Sequence, residues 1–159
     1  MAKKSKVTIK SVDHGYDKTV KTLKKLGKPT GVAIGILAKD ANRKSSSGET
    51  TLLQVGIWNE LGTDTIPARS FIRETFDMHR DEGMRRLTGL MRQVARGELD
   101  EEVALNRFGL WFQGVVQARM AESIPPPNAP STIKKKGSDT TLIDHGLLRS
   151  AISYEIRRH

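Results

Sequence analysis

The side chains that could do chemistry are few and scattered. The histidines are His14, His79, His145 and His159. A zinc site needs ligands at repeating close spacings, commonly with cysteine, and this chain has neither such a spacing nor any cysteine. Asp144 and His145 are adjacent, but neighbours on a turn rarely converge on one proton. Ser45, Ser46 and Ser47 lie in a polar stretch, where a nucleophile would lack a fixed oxyanion hole. Glu60 is the one acid between 51 and 61. It could serve as an acid or base, but a helix cap or a pair with Arg69 is the expected role. Thr30 to Ala38 (TGVAIGILA) lacks the glycine and lysine spacing of a phosphate loop. No paired carboxylates are placed for a cell-wall hydrolase. The expectation is a protein without catalytic residues, cofactor or metal.

The elements that would position these residues read from turns and periodicity. TGVAIGILA alternates small residues with Val32, Ile34 and Ile36, the mark of a strand. Ile152, Tyr154 and Ile156 alternate with polar residues in the same way, and the two stretches, 31–37 and 150–157, are expected to pair. Asp13 can start a helix ending before Gly27 and Pro29, with Tyr16, Val20, Leu23 and Leu26 on one face. Thr51 to Leu61 fits strand and helix periods in part, but the spacing 53, 57, 61 with 54 and 58 favours a helix, which Gly62 would stop. Ser70 is placed to cap a long helix to Arg96, with Phe76, Met84, Leu87, Met91 and Val94 inward. Gly97 ends it, and Asp100 or the residues around Glu98 start another helix to about Ser123, with Leu99, Val103, Leu110, Trp111, Val115 and Met120 available for burial. Gly109 and Gly114 could admit a close neighbour there. Asp144 can cap the turn HGLLRS. The fold class expected is α+β, a small, mainly antiparallel sheet packed with an N-terminal helix and a long helical hairpin.

At 159 residues the chain is one domain, 1–159, by length. Its net charge of +9 is uneven, because residues 1–28 carry nine lysines against Asp13 and Asp17. Residues 1–12 read as a basic arm or an edge strand guarded by lysine. Two polar stretches, 39–50 and 125–141, read as protruding loops. Lys3, Lys4 and Lys6 in the arm and Lys134, Lys135 and Lys136 in the second loop are candidates for partner or DNA contact, although short lysine runs are often only solvated. No apolar run reaches the length of a membrane span, and the N-terminus lacks the apolar core of a secretory signal.

Two stretches carry a family resemblance. The first is WNELGTDTIPARSFIRETF, residues 58–76, in which Trp58, Glu60, Gly62, Pro67, Arg69, Phe71 and Arg73 hold the pattern. The second is PPPNAPSTIKKKGSDTTLIDHGLLRSAISYEI, residues 125–156, with Asp144, Gly146, Leu148 and Arg149. In this order they resemble the central and C-terminal signatures of tailed-bacteriophage virion morphogenesis proteins, the minor neck and tail-completion parts. Ser70 stands where the family usually has proline, and Leu61 where it has an aromatic.

The resemblance implies a non-enzymatic structural virion protein, made in the host cytoplasm and built into a ring around the DNA passage at the head–tail junction. Its partners would be copies of itself, portal or connector proteins, and tail-tube or tail-terminator proteins, with genomic DNA in the lumen. The signature residues would fix the fold rather than bind a ligand. The rival reading is a basic nucleic-acid-binding module using the lysine arm and the arginines of the long helix.

Overall fold

The computed structural model describes residues 30–46, 48–122, 124–127 and 146–158, together with Asp17, Val20, Lys21 and Lys24. Those four lie in helical backbone within the expected N-terminal helix. The rest of that helix and the basic arm lie outside the described residues, as do Asp144, Lys134, Lys135 and Lys136.

The fold is α+β. Strand β1 (Thr30–Ile36) pairs antiparallel with β2 (Ile152–Arg158). Val32, Ile34 and Ile36 stand opposite Ile156, Tyr154 and Ile152. Paired residues in an antiparallel ladder share a face, so these six make one apolar surface. The sheet begins two residues later in the C-terminal segment than expected, because Ser150 is still helical. Its N–H bonds the Gly146 carbonyl at 2.9 Å, inside α5 (Leu147–Ser150).

Two strands alone are marginal in water and need a helix on their apolar face. That helix is α4 (Glu101–Ala121), which packs on both strands and also against α3 (Arg73–Ala95) as the other arm of a hairpin. Gly97, at φ 72°, ends the first arm. The Asp100 carboxylate accepts the Glu102 N–H at 2.9 Å and starts the second. Where α4 crosses β2, a Cβ at Gly109 would overlap the Tyr154 ring. The missing side chain lets the ring lie on the helix, and the Tyr154 hydroxyl donates to Asn106 Oδ1 at 3.1 Å. Gly114 has no neighbour of this kind.

Helix α2 (Leu52–Leu61) opens with a capping box between Thr51 and Gln54, and a Cβ at its Gly56 would meet Ile36. The core gathers Leu52, Phe71, Phe112, Val116, Leu148 and Ile152 with neighbours from the same elements.

The segment 39–50 folds back on itself. It contains α1 (Ala38–Ala41) and a bridge between Lys44 and Thr51. Ser45 is buried, with its hydroxyl 2.8 Å from that of Thr50.

The inward faces of the hairpin differ from the expected ones. Met84, Val103 and Leu110 face outward, and Phe76 is half-exposed (53%) with its ring centroid 6.0 Å from that of buried Phe112. Val94 and Met120 are buried as expected, and Thr75 and Gly83 on α3 and Ala104, Leu105, Phe112 and Val116 on α4 are buried with them. Gly83 lies against Trp111 and Phe108, where an added Cβ would make ordinary contacts at 3.6–3.9 Å.

Candidate functional site

Residues 58–76 meet the start of 125–141 at an elbow between α2 and α3. Helix α2 stops at Gly62, whose N–H bonds the Trp58 carbonyl at 2.9 Å. Gly62 has φ 78°, and a Cβ there would lie 2.9 Å from the Ala68 nitrogen, so glycine is required both by torsion and by space. The chain turns through Thr63, whose hydroxyl accepts the N–H of Ile66 at 2.9 Å. It then returns along the last turn of α2, where the Arg69 N–H bonds the Asn59 carbonyl at 2.6 Å.

Glu60 is the cap of α3. One carboxylate oxygen accepts the Arg73 N–H at 3.0 Å and the Ser70 hydroxyl at 2.5 Å, and the other accepts the Ile72 N–H at 2.9 Å. Helix α3 has no side-chain cap at Ile72, the residue before its first turn. Two of the N–H groups at its start, those of Ile72 and Arg73, are satisfied from the preceding helix, and the carboxylate also meets the positive end of the helix dipole. Of the two roles expected of Glu60, the helix cap is the one found, and the pair with Arg69 is not made, because the backbone donors of the elbow occupy the carboxylate. One expectation is corrected here. Ser70 does not cap a helix starting at 70, because its hydroxyl donates to Glu60 and the helix starts at Arg73.

Arg69 reaches across the molecule. It is buried (6% exposed), and its Nε donates to the Pro126 carbonyl at 2.8 Å and its Nη2 to the Pro127 carbonyl at 3.2 Å. It has no carboxylate partner among the described residues. Burial lowers its pKa from the ordinary arginine value. The fork of the guanidinium thus holds the first residues of 125–141 onto the elbow. Arginine suits this task, because its planar guanidinium presents several N–H donors in a fixed fork.

The other signature residues take structural places. Phe71 is in the core, and its carbonyl accepts the buried Thr75 hydroxyl at 2.6 Å. Trp58 is half-buried, and Pro67 and Arg73 are exposed. In the C-terminal turn Gly146 takes φ 73° before α5, Leu148 is buried, and Arg149 is exposed. The side chain of Gln117 on α4 donates to the carbonyls of Arg149 at 3.3 Å and Ile152 at 3.2 Å, which fixes the join from α5 to β2.

His79 lies 3.6 Å from Glu82, and Glu82 also binds Arg86 at 2.8 Å. The Arg86 hydrogen bond, ahead of the charges of Arg86 and His79, holds the Glu82 pKa below the usual carboxylate range. Among the described residues no three His, Asp or Glu side chains gather as metal ligands, and no helix is long and apolar enough to cross a membrane.

The sequence reading missed the partners of Arg69, since a backbone carbonyl carries no residue-type signal. It also missed an outward stripe on α2. Leu53, Ile57 and Leu61 recur every fourth residue and are all exposed, Ile57 by 46% and Leu61 by 66%. Their spacing was legible as helical, but the direction of the stripe was not.

No protein-family model, curated protein or solved structure matches this chain.

Proposed function

We propose that this protein is a non-enzymatic structural part of a tailed-phage virion, at the neck or tail-completion layer of the head–tail junction. Copies of the chain form a ring around the DNA passage and dock onto portal or connector proteins and tail-tube or tail-terminator proteins. The resemblance of residues 58–76 and 125–156 to virion morphogenesis proteins supports this reading.

The observation that carries it furthest is the α2 stripe. Leu53, Ile57 and Leu61 put large apolar side chains in water on a helix whose other face is already used by the core. Water-facing apolar area arranged along one helix is the signature of a surface that another protein covers. Within a ring, the neighbouring copy is that protein. The sheet supports the same arrangement, because each of its two strands has only one partner among the described residues, and an open edge can accept a strand from another chain.

Light scattering after size-exclusion chromatography, with negative-stain imaging, tests the assembly. The wild-type chain gives a discrete ring, and Ile57→Glu gives a folded monomer. Purified virions that contain no copy of the chain by immunoblot overturn the reading, as does a wild-type chain that stays monomeric at every concentration and in the presence of portal.

A further inference from the structure

The outer side of the helical hairpin carries a groove of about 340 Å³ that the virion reading does not use. Its floor is aromatic and apolar. Phe108 and Trp111 of α4 stand with ring centroids 5.7 Å apart, and Leu90 of α3 faces them. Its walls are cationic, with Arg85 and Arg86 from α3 and Arg107 from α4, and Gln93 adds an amide. No acid lines it. Arg86 is already engaged, bonded to Glu82 and stacked 4.7 Å above the Trp111 ring. Arg85 and Arg107 have no carboxylate partner among the described residues and are exposed. The cationic surface continues along α3, where Arg85, Thr88 and Arg92 line a second hollow of about 360 Å³. Arg92 also lacks a carboxylate partner among the described residues.

We propose that this groove binds single-stranded nucleic acid. The combination needed is a cationic track for the phosphates beside a slot where a base can lie against aromatic and guanidinium planes. Arg85, Arg92 and Arg107 supply the track. Phe108, Trp111 and the Arg86 guanidinium supply the planes. Gln93, with both a donor and an acceptor, can meet a base edge. A duplex shows only its phosphates to a groove this size and leaves the aromatic floor idle. An acidic peptide matches the cations but makes no use of stacked planes. The site stands independently of the virion reading, since a monomer could bind a strand and a ring could form without one.

Gly89 makes a clean test possible. It lines the groove, and a Cβ added there meets no atom within 4 Å. Gly89→Leu therefore fills the groove from a helical position where leucine is a better helix former than glycine. The probe is a fluorescein-labelled oligothymidylate, titrated into the full-length protein over a range of salt. A Trp58→Phe background leaves Trp111 as the one tryptophan reporting on the site.

The wild-type groove should quench Trp111 on binding. Gly89→Leu should lose about ten- to hundredfold in affinity, the worth of a stacked base, while keeping its thermal midpoint. Arg85→Gln and Arg107→Gln should each lower the slope of log affinity against log salt by about 0.7, the single-strand value for one phosphate contact. The proposal is overturned if the oligonucleotide does not bind, or if it binds with Trp111 unchanged and with Gly89→Leu equal to wild type, which would place binding on the lysines elsewhere. It is equally overturned if polyglutamate binds the groove more tightly than the oligonucleotide at matched charge.

Discussion

The Arg69 guanidinium donates to the Pro126 carbonyl at 2.8 Å across 57 residues of sequence. It joins the stretch 58–76 to the start of 125–156, so a side chain of one holds the backbone of the other. Lysine carries the same charge but cannot present two N–H groups in a fixed fork. Arg69→Lys should cost about 1 kcal/mol of stability, and Arg69→Met about 2 kcal/mol, from the lost charge-assisted bonds. Limited proteolysis is the more specific readout. Cleavage next to Pro127 should accelerate in both variants at temperatures well below their unfolding midpoints. Unchanged cleavage would mean that the connection is held by other contacts.

Glu60 should be more costly to lose than an ordinary surface acid. Glu60→Ala removes the acceptor for two backbone N–H groups and a hydroxyl at the start of α3. The expected loss is about 2–3 kcal/mol, somewhat above a simple cap. Glu60→Gln keeps the shape and one acceptor oxygen and should cost about half as much. Urea denaturation measures the totals. Amide exchange should localise the damage to residues 72–76, and protection there equal to wild type would remove Glu60 from its role as the cap.

The seat of Tyr154 on Gly109 predicts a coupled pair. Gly109→Ala drives a methyl group into the ring and should destabilise by about 1–3 kcal/mol, the range for overpacking, despite the better helix propensity of alanine. In a Tyr154→Ser background the same change should be neutral or stabilising. A double-mutant cycle read by thermal denaturation gives the coupling energy, and additive effects would show that the ring does not rest on that glycine.

Much of this architecture could be read from residue types. The alternation in TGVAIGILA and in ISYEIRR announced β1 and β2, and Gly62, Gly97 and Asp100 marked helix ends by local chemistry that tertiary packing did not override. The faces of α3 and α4 were not readable in the same way. Apolar residues lie on several sides of each helix, so periodicity allowed more than one inward direction. Tertiary packing buried Thr75, Gly83 and Ala104 and left Met84 and Leu110 exposed. The long-range bonds were hidden for another reason. Ser70 looked like a cap because caps are usually local, and only the fold shows that Glu60 arrives from the previous helix.

The register of the sheet has a consequence for biosynthesis. Ile36 pairs with Ile152, so β1 leaves the ribosome over a hundred residues ahead of the only strand that joins it among the described residues. The α3–α4 hairpin, built from near neighbours in sequence, can form during that wait. Nascent chains interrupted before Ile152 would carry helices without a completed core. Any assembly line that accepts only the finished fold would thereby screen out premature products without a separate inspector.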